Sequence, residues 1–526
     1  MGIYLNPGND DFQMALDSEI YVDKSMLIKH TNKVIRTEQR FICVSRPRRF
    51  GKSMAANMLA AYYNCEHDSR EMFASLKVSK EKESRESFEK HLNKYNVIRI
   101  DIQKFANPAK TADEMLGSMQ KRVIKDIRKS MEVDEDEDYL PYVLENSFAR
   151  TGRPFVIIID EWDCVLRDEK FRAEDQKTYL DFLCVLFKGQ SYVALAYMTG
   201  ILPIKKYGKH SAINMFTEIS MTNDQGYAEF TGFTEGEVET LCERYHMSFD
   251  ETKRWYDGYN LKGISIYNPQ SVVTAMISRC FDNYWNLTET YNSLKNYIRQ
   301  DCYGLKDKVT RLIAGEEIEV NPDKFQNDMT SINSADDVFT LLIHLGYLTY
   351  DFYTGKARIP NSEVAQEFIN SIEDGGWEEV MNAIKAADDL LDATLSCDEE
   401  KVAELIDKAH SENASILKYN DENSLACVIS IAYYSARRTY FMYREVSAGK
   451  GYADIVFVPR NNVITPALVV ELKYNRSAES AIRQIKDRNY TDFLKGYSGE
   501  ILLVGINYDK DDPNKMHTCR IEKIRK

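Results

Sequence analysis

Apolar positions in the first 230 residues follow two alternating patterns. Short runs with strand character (Phe41–Val44, Val97–Ile102, Phe155–Ile159 and Tyr192–Met198) are separated by stretches with helical period at 54–63, 111–131 and 171–189. A strand buried on both faces needs a nearly unbroken apolar run, and a helix between such strands returns the chain for parallel pairing. The pattern therefore predicts a doubly wound α/β core. Ahead of it, Ser25–Ile35 reads as a helix with Asp23 as its N-cap.

The middle of the chain changes character. Thr234 followed by Glu237 is a capping box that opens a helix. Trp255–Asn260 and Tyr267–Ser271 are aromatic and turn-rich, and they read as packing and turn elements. Residues 285–420 are mostly helical in period. Within them, Asp336–Leu345, Tyr347–Tyr350, a turn at Tyr353–Lys356 and Ala357–Ile359 have the outline of a winged helix. No basic recognition helix accompanies it, which favours a packing relay over a DNA reader. The last part predicts a helix at Leu425–Ala436 and strands at Tyr440–Val446, Ala453–Val458 and Ala467–Lys473, with a turn at Gly449–Gly451. The expected division is a core at 1–225, a helical lid at 226–330, a winged-helix-like segment at 331–375, a helical connector at 376–420 and an α/β unit at 421–526.

Two places carry phosphate chemistry. Ser45–Ser53, SRPRRFGKS, lies between the first strand and a helix, where backbone N–H groups and the helix N-terminus point at one spot. Lys52 would reach the β- and γ-phosphates of a nucleotide and Ser53 would hold Mg²⁺. Phe155–Glu161 is an apolar strand ending in two carboxylates. Asp160 suits the metal side, and Glu161 could polarise an attacking water. Near the other end, Asp454 starts one strand while Glu471 and Lys473 share a face of the next. Carboxylates that hold a divalent cation beside a phosphodiester, with a lysine to offset developing charge, are what phosphodiester hydrolysis needs.

With these motifs in place, the chain resembles the bacterial AAA-ATPase-like family whose members carry a C-terminal nuclease-like domain of the PD-(D/E)XK superfamily. The resemblance is carried by Tyr21–Ser25 (YVDKS), RPRRFGKS, Ile157–Asp163 (IIIDEWD), Tyr197–Gly208, WYDGYN, YNPQS and the C-terminal GYADIVF and VVELK blocks. Arginine at position 46, where the general loop pattern has glycine, is usual in this family. The resemblance implies a P-loop AAA-like ATPase core with a restriction-endonuclease-like C-terminal domain. ATP is expected at Arg46, Pro47, Arg48, Arg49, Phe50, Gly51, Lys52, Ser53, Met54 and Asp160. By analogy with additional-strand P-loop ATPases, Thr199 is a sensor candidate at the γ-phosphate or lytic water. In the nuclease-like part, Gln484 joins Asp454, Glu471 and Lys473, and Glu422 matches the position of an additional metal-binding glutamate. DNA is the implied substrate. The arginine finger is unassigned: Arg48 and Arg49 lie in the loop, and a neighbouring copy in a homo-oligomer is the other source. Folds of this kind often survive without their chemistry, so a nucleotide-dependent binding or signalling module with an inactive nuclease fold is the rival expectation.

Composition narrows the setting. There is no apolar run long enough for a membrane span, and the N-terminus lacks a signal-peptide layout. The ten cysteines are scattered with no metal-ligand spacing, which suits reduced thiols in a cytoplasm and argues against zinc. The net charge of −14 is uneven: Arg437–Lys526 holds 17 basic and 11 acidic side chains, leaving this end at +6. That asymmetry suits nucleic acid at the C-terminal part.

Overall fold

The strand Phe41–Ser45 (β1) lies inside a five-stranded sheet with Asn96–Asp101 (β2), Phe155–Asp160 (β3), Val193–Gly200 (β4) and Thr217–Ile219 (β5). This computed structural model describes residues 2–525 except 132, 135, 205–212, 286–303, 327–331, 374–377, 414–421, 449–450, 461–464, 495–496 and 510–516. The strand order is β2-β3-β4-β1-β5 and every pairing is parallel. Such a sheet needs cover on both faces, and two apolar clusters supply it. One joins β1 to β4 with helices Ala112–Ser130, Leu140–Thr151 and Ala173–Phe187. The other brings in Met26–Val34, Lys82–His91 and Lys52–Tyr63, the last named α1. The doubly wound core read from the apolar runs is present, and the carboxyl ends of β1, β3 and β4 meet at the loop before α1.

The capping box also forms: Glu237 accepts the Thr234 N–H at 2.8 Å and opens α2 (Glu235–Tyr245). The expected helix and hairpin appear as Ala335–Leu345, Thr349–Asp351 and Lys356–Arg358, the two strands pairing antiparallel. The helix expected after Asp23 starts at Met26 with Ser25 in the cap position. Asp23 instead accepts the N–H groups of Ser25 (2.8 Å) and Lys77 (2.7 Å), tying two segments together.

The chain forms two compact units, 1–294 with 319–366, and 295–318 with 367–526. Residues 295–318, placed in the lid by the sequence reading, belong to the second unit. Glu316 explains the docking, since its carboxylate pairs with Arg311 (2.7 Å) and with Arg444 (2.9 Å), while Arg437 donates to the Ala314 carbonyl at 2.7 Å.

The second unit is built on a sheet of Tyr440–Ala448 (β6), Gly451–Pro459 (β7), Ala467–Tyr474 (β8), Glu500–Tyr508 (β9) and His517–Arg525 (β10), in that spatial order. Only β8 and β9 run parallel. The helix Ala478–Arg488 makes their crossover and covers one face, and Glu399–Asn413 and Glu422–Ala432 lie over the other. This is the mixed α/β architecture the C-terminal pattern implied. The turn at Gly449–Gly451 falls largely outside the described residues.

Candidate functional site

At the first site, β1 ends at Ser45, and the chain turns through Arg49 (φ 68°) and Gly51 (φ 83°) into α1. The positive φ at Gly51 is what glycine adopts freely. The loop bounds a cavity of about 700 Å³ whose wall includes Arg48, Arg49, Phe50, Gly51, Lys52, Ser53 and Met54. Lys52 is buried and donates to the carbonyls of Arg46 (3.0 Å) and Pro47 (2.9 Å). Burial lowers its pKa, and Glu161, Asp160 and Asp163 oppose that shift.

Arg46 and Pro47 point elsewhere. The Arg46 guanidinium is fully buried, 2.5 Å from Asp224 and 3.1 Å from Thr231 Oγ1. The Pro47 ring packs beside Gly346. The Arg46 side chain, expected as a nucleotide ligand, is thus spent on fixing the loop, because a guanidinium without solvent needs a carboxylate partner. Phe50 lines the cavity but is itself buried, edge-on to the Tyr259 ring at 5.2 Å.

β3 delivers Asp160, buried at the strand's carboxyl end, where Thr199 Oγ1 from β4 donates to it. Glu161 follows at φ 51° and faces the cavity. Its carboxylate lies 2.5 Å from Arg167, whose Nε also reaches Asp163 at 2.9 Å. Asp163 in turn accepts the N–H groups of Ile201 (3.1 Å) and Leu202 (2.7 Å). Burial raises the Glu161 pKa, and Lys52 is the strongest opposing influence. Burial would lower that of Arg167, but Asp163 and Glu161 outweigh it.

Several wall residues escaped the sequence reading. Lys24, from YVDKS, lines the cavity and bonds Glu237 (2.5 Å) and the Glu229 carbonyl (2.8 Å). Pro269 and Gln270, from the block read as a turn, also line it, because Asn268 caps a helix, Pro269–Ser278, that starts there. Arg167 and Asp163 carried a usable signal: they stand four apart just after the DE pair, a spacing that puts them on one helix face. Lys205, Lys206 and Lys209, clustered after Thr199 in sequence and so open to a phosphate or to a solvated loop, lie outside the described residues.

At the second site, β7, β8 and the helix after β8 converge. Glu471 and Lys473 are almost fully buried, and Lys473 Nζ lies 2.7 Å from Glu471 Oε1. Gln484 donates to that same oxygen and lies 3.1 Å from the Tyr490 hydroxyl. Asp454 accepts the Leu472 N–H at 2.6 Å, which ties it to the strand carrying Glu471 and Lys473. Glu471 Oε2 is buried without a well-formed hydrogen bond, although the Asp454 backbone N–H also favours the carboxylate. Burial, then the Asp454 charge, push the Glu471 carboxyl up to about 7 against the pull of Lys473. A buried carboxylate oxygen left open beside a second carboxylate fits a divalent cation, which would offset both penalties. Two carboxylates converge among the described residues; the side chain of Glu422 lies outside them.

Residues 8–209 match the family described as "Predicted AAA-ATPase", and 420–518 match the PD-(D/E)XK nuclease superfamily. The chain thus carries an AAA-ATPase-like domain at its N-terminal end and a PD-(D/E)XK nuclease superfamily domain at its C-terminal end. A protein of Azotobacter chroococcum mcd 1, named "Uncharacterized protein in vnfD 5'region", is 24% identical over 496 residues, covering 89% of each chain. Among solved structures, a Walker-type ATPase of Pyrococcus abyssi aligns with 66% of this chain and 94% of its own at 12% identity, with a TM-score of 0.33. The ORC2 protein of Aeropyrum pernix aligns with 68% of this chain and 96% of its own at 12% identity, with a TM-score of 0.32. No helix among the described residues is long and apolar enough to cross a membrane.

Proposed function

We propose that this chain, an AAA-ATPase-like domain joined to a PD-(D/E)XK nuclease superfamily domain, is an ATP-driven switch that controls a Mg²⁺-dependent nuclease acting on DNA. The observation that carries the reading is the convergence of Asp454, Glu471, Lys473 and Gln484, with one Glu471 oxygen held by Lys473 and Gln484 and the other open. Asp454 and Glu471 would hold the metal there, and Ser53 and Asp160 would hold it at the nucleotide. Bound Mg²⁺ supplies charge neutralisation at the phosphate and a water of lowered pKa.

The rest falls to the chain's own groups. Lys52 would exchange its two loop carbonyls for phosphate oxygens, and Thr199 would keep Asp160 oriented. Glu161, steered by Arg167, would take the proton of the attacking water at the triphosphate. Lys473 would offset the charge that develops on the scissile phosphate. Access of DNA to the nuclease site would follow the nucleotide state; the chain passes between the two units three times, which supports such coupling. The nine described cysteines are free thiols, in keeping with a cytoplasmic setting. The test is cleavage of single- and double-stranded DNA by the full chain, with and without ATP and Mg²⁺. Cleavage that is lost with EDTA and with Lys473→Ala supports the reading. Nucleic-acid binding without cleavage would replace it with a catalytically silent clamp.

A further inference from the structure

The edge strand of the second sheet, β6, and the turn after the crossover helix carry a row of aromatic rings, with Tyr443 and Phe493 exposed and Phe441 half-buried. Phe441 and Tyr443 lie two residues apart, on one face of the strand, with ring centroids 6.5 Å apart. Tyr443 meets Phe493, from the short turn after the crossover helix, at 5.3 Å. Tyr443 is 41% and Phe493 40% exposed, and the Arg460 guanidinium stacks over Phe441 at 4.2 Å. Phe493 shares its turn with Tyr490, whose hydroxyl bonds Gln484, which holds Glu471. The row therefore ends in the turn that carries Tyr490, two hydrogen bonds away from the Glu471 carboxylate.

Scattered exposed apolar side chains need no explanation, but a contiguous strip of rings with a stacked guanidinium does. The charge of this end of the chain points to what covers it: residues from Arg437 onward carry 17 basic and 11 acidic side chains, and the crossover helix exposes Arg483, Arg488 and Lys486, the last paired with Glu522, beside Glu479 and Asp487. Rings interleaved with cations bind unpaired bases by stacking while the cations follow the phosphates, and duplex bases hide the faces that stacking requires.

We infer that Phe441, Tyr443, Phe493 and Arg460 form a stacking platform for single-stranded nucleic acid, which feeds an unpaired strand to Asp454 and Glu471. This inference rests on the nuclease reading of the C-terminal unit. It is tested by fluorescence anisotropy of the full chain, with Ca²⁺ replacing Mg²⁺, on a labelled 20-nucleotide single strand and its duplex, for wild type, Tyr443→Ala, Phe493→Ala and Tyr443→Trp. The single strand should bind about 10-fold tighter than the duplex, each alanine should cost about 10-fold on the single strand alone, and tryptophan should restore binding. Equal losses on both substrates, or none, overturn the platform while leaving the nuclease reading intact. Binding of neither substrate by wild type, together with no Mg²⁺-dependent cleavage, sinks the nuclease reading and the platform with it.

Discussion

Asp224→Asn isolates the charge that anchors the phosphate-binding loop. Asp224 holds Arg46 at 2.5 Å, and its other oxygen accepts the N–H groups of Gly226 and Ala228, each at 3.0 Å. Asparagine keeps an acceptor for those backbone groups but removes the negative charge, which leaves a guanidinium with no solvent exposure unpaired. Breaking a buried pair in this way costs about 3–5 kcal/mol. In a unit of this size that corresponds to a melting shift of roughly 6–10 °C, at about 2 °C per kcal/mol. Adding Arg46→Met to Asp224→Asn removes the stranded charge and should recover most of the loss, because Met fills much of the same space. Calorimetry of the four proteins in the cycle reads this, and isothermal titration gives ATP affinity alongside. Arg46→Met alone should bind ATP within about threefold of wild type, since its side chain is not on the cavity wall. A cost under about 1 kcal/mol for Asp224→Asn, or loss of ATP binding in a folded Arg46→Met, would refute the placement of Arg46 and return it to the nucleotide ligands.

Two further outcomes follow from local geometry. Gly258, in WYDGYN, sits at φ 109° and a Cβ there would lie 2.1 Å from the Pro360 carbonyl oxygen, so Gly258→Ala should destabilise by about 3 kcal/mol or more and melt early; an unchanged melting temperature contradicts this close approach. Burial, then Lys90, hold the His91 imidazole down at about 4, with Nδ1 2.7 Å from the Tyr95 hydroxyl. The unfolded chain takes up this proton near 6.5 and the native state near 4. The stabilisation is therefore present above 6.5 and lost as pH falls, by about 1–2 kcal/mol after allowing for partial solvation. Urea titrations should show His91→Gln flattening that loss between pH 6.5 and 4, and an unchanged slope contradicts it.

What was legible in the sequence was local. The order of strand, loop and α1, the DE pair ending β3, and the alternation that puts Glu471 and Lys473 on one face all depend on neighbours a few residues away. The destination of Arg46 was hidden because Asp224 lies 178 residues on, with no local pattern to announce it. Lys24 and Gln270 stand far from Lys52 and from each other along the chain, so only folding brings them to the same cavity. Residues 295–318 read as lid by position, but the charge on Glu316 finds Arg444 in the second unit. Helical period says that a helix forms and not what it packs against. Tyr443 and Phe493 carry no local signal of their own; the sheet order, which puts β6 at an edge, is what leaves them exposed together.

The proposed nuclease chemistry depends on a cation held between Asp454 and Glu471 Oε2. The most direct measurement is anomalous diffraction from crystals of the full chain soaked in Mn²⁺, a stand-in for Mg²⁺. A peak is expected between the two carboxylates, within about 2.0–2.3 Å of an oxygen from each, and should disappear in Glu471→Gln. A well-ordered site with no peak there, or with Asp454 and Glu471 turned apart, would contradict it.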